Sequence, residues 1–120
     1  MLKRGSTIGI LGGGQLGRML ASAANQLGFD VHIFCPETDS PASRGARKTW
    51  NADYLDADAM REFAKSCDVV TLEFENIPVE ATDLIASCGV ALHPGPRSLA
   101  ISQDRAEEKA FLNRIGIPTA

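Results

Sequence analysis

A chain of 120 residues builds one hydrophobic core rather than two, and 44% apolar with 22% charged residues is an ordinary globular balance. A formal net charge of −3 argues against general nucleic-acid binding, which needs a basic surface. No apolar run approaches the length of a membrane span, and Met1-Leu2-Lys3-Arg4-Gly5 has no signal-peptide core behind it.

Cys35, Cys67 and Cys88 are odd in number and far apart. They fit neither a disulfide framework nor a zinc site, and they suit a reducing, cytoplasmic setting. Each reads as a small buried hydrophobe.

Ile8 to Leu11 is the first expected strand, apolar without strict alternation, as in a strand covered on both faces. Gly12-Gly13-Gly14-Gln15-Leu16-Gly17 follows directly and leads into a helix. In that helix Leu16, Met19, Leu20, Ala23, Ala24 and Leu27 recur at spacings of three and four and form one apolar stripe. Gly28 is placed to end it in the left-handed conformation. Val31 to Phe34 is a second short strand, and Cys35 to Lys48, with two prolines, reads as a surface loop.

A short extended piece follows at Thr49 to Ala52. Asp56 or Asp58 caps a helix whose inner face carries Met60, Phe63, Ala64 and Cys67. Asp68 to Leu72 is the clearest central strand. Pro78 suits the first turn of a helix running to about Ser87, with Gly89 closing it. Val90 to Leu92 is a further strand, and Ser98 to Ile115 reads as helical. Strands and helices alternating at this length imply right-handed βαβ units. The expected fold is α/β, a Rossmann-like open parallel sheet with helices on both faces. Residues 1–115 form this domain, and residues 116–120 have the look of a linker into another.

A glycine turn between strand and helix leaves backbone N–H groups without intrahelical partners, at the positive end of the helix dipole. Such a turn suits a phosphate or a carboxylate, the plain alternative being a tight turn that lets helix and strand pack closely. Gly12, Gly14 and Gly17 fit the G-x-G-x-x-G spacing of dinucleotide sites, which also needs an acid at the end of the second strand. Here that strand runs into Cys35-Pro36-Glu37, a thiol and a proline before the nearest acid, which weakens a nicotinamide reading.

Glu73, Glu75 and Asn76 lie just beyond the central strand, where ligands of open α/β sheets sit. Two acids and an amide suit hydroxyls or an amine better than a second phosphate. The plain alternative for them is a solvated loop that caps the next helix. Arg105 and Lys109 lie four apart, which by spacing alone is an exposed charged face. Neither a nucleophile pair nor a set of metal ligands appears in the sequence.

Taken together, Gly12-Gly13-Gly14-Gln15-Leu16-Gly17-Arg18-Met19, Thr71-Leu72-Glu73-Phe74-Glu75-Asn76-Ile77, Gln103-Asp104-Arg105 with Lys109, and Gly116-Ile117-Pro118-Thr119-Ala120 resemble the N5-carboxyaminoimidazole ribonucleotide synthetase family. The resemblance runs from residue 7 to the end. It implies the N-terminal, pre-ATP-grasp domain of a purine-biosynthetic ligase. That ligase carboxylates 5-aminoimidazole ribonucleotide with bicarbonate, at the expense of ATP and through carboxyphosphate.

Carried over by position, the resemblance implies that Gly14, Gln15 and Leu16 bind the ribonucleotide 5′-phosphate through their backbone. Glu73, Glu75 and Asn76 would face its ribose or aminoimidazole, and Arg105 would reach the ATP phosphates or the nucleotide site. It further implies Mg2+ bound by residues beyond these 120, a homodimeric full-length enzyme, a cytoplasmic location, and little or no turnover by this stretch alone. Three rivals remain: an NAD(P)-binding oxidoreductase domain, a formate-dependent glycinamide ribonucleotide transformylase domain, and a nucleotide-sensing module without chemistry.

Overall fold

The computed structural model describes residues 2–73, 77–93, 112 and 114–116. Within them lie five strands: β1 (Thr7–Leu11), β2 (Asp30–Phe34), β3 (Lys48–Trp50), β4 (Val69–Leu72) and β5 (Ala91–His93). All pair in parallel, in the order β3-β2-β1-β4-β5. The helices are α1 (Gln15–Gln26), α2 (Ala57–Lys65) and α3 (Val79–Ser87), and a 3-10 turn spans Pro41–Gly45.

Side chains alternate between the two faces of each strand, so the sheet buries two hydrophobic clusters, one on each face, where the length suggested a single core. Ile10, Val31 and Ile33 pack with Ala21, Ala24 and Ala42 on the α1 side. Leu11, Phe34, Val70 and Leu92 pack on the other side with Met60 and Phe63 of α2 and Ala81 and Ile85 of α3. Phe63 sits edge-on to both Phe34 and Trp50, at 5.5 Å between ring centroids in each case. With both faces covered, the strands need apolar residues at consecutive positions, which explains their unbroken apolar runs. The Rossmann-like open sheet with helices on both faces is therefore the observed fold.

The helix ends follow from local chemistry. The Asp56 carboxylate, and not that of Asp58, accepts the Ala59 amide and starts α2. Pro78 stands one position ahead of its expected place, as the cap of α3 rather than within its first turn. Gly28 follows α1 with φ of +90°, the left-handed stop its position suggested. β5 begins one residue later than its apolar run, within ordinary fraying of element ends.

Two features depart from the sequence reading. The apolar stripe of α1 is not its buried face: Leu16, Met19 and Leu27 are 59–65% exposed, and of the stripe only Ala24 is buried. α1 packs instead through Gly17, Ala21 and Ala24, because the 3-10 turn lies too close for larger side chains. A Cβ on Gly17 would approach the Ala42 Cβ of that turn to 3.2 Å. The expected surface loop after β2 is also partly a structural wedge. Ala42 is fully buried there, and its amide donates to the Gly13 carbonyl at 2.9 Å. The helix expected from Ser98, the acid Glu75, the amide Asn76, and Arg105 with Lys109 lie outside the described residues, apart from positions 112 and 114–115 of that helix.

Candidate functional site: an amide turn beside a carboxylate

β1 pairs with β2 on one side and with β4 on the other, while the chain leaves β1 over one face and enters β4 from the opposite face. Strand order reverses there, and a crevice opens beyond the carboxyl ends of β1 and β4. The glycine turn follows β1, and Glu73 follows β4. Register sets them side by side, since Leu11 pairs with Leu72 and the Glu73 amide donates to the Leu11 carbonyl at 2.9 Å.

Gly12 makes the turn with φ of +112°, a conformation that other residues rarely adopt. Its amide donates to the Phe34 carbonyl at 2.9 Å. Gly14 is the cap residue of α1 and has no side chain to satisfy the helix's first amides. Glu73 does so instead. Its Oε2 accepts the Gly14 amide at 2.6 Å and the Gly17 amide at 3.1 Å. A Cβ on Gly14 or Gly17 would fall on this carboxylate, and one on Gly17 would also approach the Gly12 carbonyl to 3.1 Å. The G-x-G-x-x-G spacing thus serves an internal carboxylate: Gly12 for the bend, Gly14 and Gly17 for its approach.

Two amides remain. Those of Gln15 and Leu16 have no hydrogen-bond partner among the described residues, because the first intrahelical bond is Arg18 to Gly14. The Gln15 and Leu16 side chains are exposed. Whatever these residues bind, they offer it backbone.

Beside the turn lies a cleft of about 320 Å³. Its walls are Gly13 and Gly14, Glu37, Ser40 and Pro41 from the stretch after β2, Tyr54, and Glu73. Among the described residues, two carboxylates and no cation line it. Asn51 fixes the mouth, donating to the Glu37 carbonyl at 2.7 Å and the Cys35 carbonyl at 3.3 Å. Burial pushes the Tyr54 phenol above its ordinary range, and the charges of Glu37 and Glu73 add to the effect. Burial likewise raises the Cys35 thiol, which donates to Ser40 Oγ at 3.4 Å. Both groups are neutral at physiological pH, Tyr54 as a wall of the cleft and Cys35 fully buried, and neither is poised as a nucleophile.

Of the expected site residues, the structure brings Gly14, Gln15, Leu16 and Glu73 together at one helix end. Glu75, Asn76 and Arg105 lie outside the described residues. Ser40, Pro41 and Tyr54 were not foreseen as cleft walls, and Glu37 entered only as a possible ribose partner for a dinucleotide. The signal for three of them was available, since Glu37 to Pro41 follow β2 at the same edge of the sheet. Nothing in the sequence singles out Tyr54. Among the described residues no group of three His, Cys, Asp or Glu side chains is arranged to hold a metal ion.

The family described as the ribonucleotide synthetase preATP-grasp domain matches residues 5–103. An N5-carboxyaminoimidazole ribonucleotide synthase of Brucella melitensis is 52% identical over 119 residues, covering 99% of this chain and 33% of the relative. The structure is similar to that of an N5-carboxyaminoimidazole ribonucleotide synthetase solved as its ADP complex. That match has a TM-score of 0.94 at 38% identity, over 100% of this chain and 32% of the other. An Aspergillus clavatus synthase solved with ADP and 5-aminoimidazole ribonucleotide matches with a TM-score of 0.83 at 34% identity, over 98% of this chain and 31% of its own. The chain thus spans about one third of the length of these relatives. By the family match over residues 5–103, the chain belongs to the ribonucleotide synthetase preATP-grasp family.

Proposed function

We propose that this chain is the ribonucleotide-binding part of an ATP-dependent ligase that carboxylates 5-aminoimidazole ribonucleotide with bicarbonate in purine biosynthesis. The observation that carries this reading is the pair of open amides at Gln15 and Leu16, set beside the Glu73 carboxylate. Two adjacent N–H groups at the positive end of α1 suit one phosphate. Glu73 Oε1, which none of the turn amides engages, suits a ribose hydroxyl as donor. Phosphate and sugar would then lie along the crevice, with Tyr54 and Pro41 as its apolar walls.

In this reading Glu75 and Asn76 continue the sugar and base contacts, and Arg105 reaches the ATP phosphates. ATP activates bicarbonate as carboxyphosphate, and the exocyclic amine of the ribonucleotide takes the carboxyl group. Both ATP and Mg2+ would be held mainly by residues beyond these 120, with 116–120 leading towards them. The relatives' greater length and their ADP complexes support that division. A cytoplasmic, homodimeric full-length enzyme belongs to the same proposal, and light scattering of the longer protein tests the dimer.

Calorimetric titration with 5-aminoimidazole ribonucleotide, using ribose 5-phosphate and NADH as controls, tests the assignment. The proposal expects binding of the first two and none of NADH. Tight NADH binding would return the turn to a dinucleotide role. Preference for glycinamide ribonucleotide over the aminoimidazole compound would instead favour the formate-dependent transformylase.

A further inference from the structure

The glycine turn has the spacing of a dinucleotide site, yet its amides are divided. Gly14 and Gly17, first and last of the four, are held by Glu73 Oε2 at 2.6 and 3.1 Å. Only the adjacent pair Gln15 and Leu16 stays open. We propose that Glu73 is a specificity-determining residue that restricts this turn to a single phosphate and turns a diphosphate away. The inference rests on the reading of the α1 N-terminus as a phosphate site and deepens it.

Three observations converge. First, a diphosphate laid across such a turn needs more of the amide cluster than two neighbouring N–H groups. Glu73 would have to yield its two charge-assisted bonds to make room. Second, a displaced Glu73 has nowhere favourable to go. Among the described residues lining the cleft there is no lysine or arginine, and Glu37 adds a second carboxylate. A ligand with two phosphates would bring its extra negative charge against both acids. Third, the glycines are shaped around the carboxylate. Any side chain at Gly14 or Gly17 would collide with it, so the turn is built with Glu73 in place.

A monoester escapes this exclusion because it needs only the open pair, and its sugar hydroxyls can donate to the acids that repel a second phosphate. The same carboxylate thus rejects one ligand class and receives the other.

The test compares ribose 5-phosphate with ADP-ribose, by calorimetry, on the wild-type chain and on Glu73→Gln. Glutamine keeps an oxygen for the two amides and removes the charge. Wild type should bind ribose 5-phosphate at least tenfold more tightly than ADP-ribose. In Glu73→Gln the affinity for ADP-ribose should rise at least tenfold and the gap should narrow. Equal wild-type affinity for the two ligands, or an ADP-ribose affinity unmoved by the substitution, overturns the inference.

Failure of ribose 5-phosphate to bind wild type would defeat the phosphate reading separately, while the ADP-ribose response of the variant still decides the role of Glu73. Near-UV circular dichroism confirms that the variant is folded. Should it not fold, the wild-type comparison alone carries the decision.

Discussion

Glu73 and the glycines it leans on behave as one unit, so disturbing either side should be felt by the other. Gly17→Ala places a methyl group on the Glu73 carboxylate and close to the Gly12 carbonyl, with little room to relax. Overpacking and a weakened charge-assisted bond should together cost about 2–4 kcal/mol. Gly45→Ala adds the same methyl 3.4 Å from Ala21, an ordinary contact, and should change stability by less than ~1 kcal/mol. Urea unfolding of the two variants measures the difference. Equal losses would mean that the carboxylate is not held where the structure has it.

His32 offers a pH test at the same scale. Burial lowers its pKa from 6.5, with Lys48 adding to the effect, and its Nδ1 lies 2.8 Å from Ser66 Oγ. The neutral ring is therefore preferred in the folded state. Its contribution is fully present above the unfolded value of 6.5 and is lost as pH falls through the lower folded value. Thermal unfolding of wild type should lose stability between pH 7 and pH 5 more steeply than that of His32→Asn. Matching slopes would remove His32 from the account.

At the scale of the element, α1 teaches where sequence patterning stops. The 3.6-residue period of Leu16, Met19, Leu20, Ala23 and Leu27 identifies a helix correctly, yet those residues face outward. Period tells that a helix is amphipathic; it does not tell which side meets the sheet when the contact is too close for leucine. The residues that pack, Gly17, Ala21 and Ala24, carry almost no hydropathic signal. α2 is the opposite case. Its inner face is made of large residues, Met60 and Phe63, and was legible at once. Accordingly Ala21→Leu should destabilise by about 1–3 kcal/mol, whereas Met19→Gln should be nearly neutral. Denaturant unfolding checks both, and tolerance of leucine at position 21 would contradict the packing described.

For the molecule as a whole, alternation of strands and helices was enough to foresee a parallel sheet covered on both faces. The meeting of Gly14 with Glu73 was not foreseeable. It spans 59 positions and depends on β4 pairing with β1 in the Leu11–Leu72 register. The sequence marked both groups as ligand-facing without revealing that they hold each other. The cleft wall at Tyr54 was hidden for a similar reason, because it comes from a connection with no periodicity.

Two closed cores also fix the order of thiol labelling. Cys35 and Cys67 are buried, one on each side of the sheet, and burial pushes the Cys67 thiol up to about 11. Cys88 is only partly buried. At pH 8 a thiol reagent should modify Cys88 first and reach the other two only as the cores open. Rapid modification of all three in the folded chain would mean that the cores are not closed.

In the proposed function, the open amides of Gln15 and Leu16 receive a sugar phosphate while Glu73 keeps those of Gly14 and Gly17. An amide-resolved NMR titration with ribose 5-phosphate tests it most directly. The largest shift changes are expected at the Gln15 and Leu16 amides. Gly14 and Gly17 should keep their exchange protection, since their bond to Glu73 persists. Changes centred elsewhere, or loss of protection at Gly14 and Gly17 as the ligand binds, would contradict it.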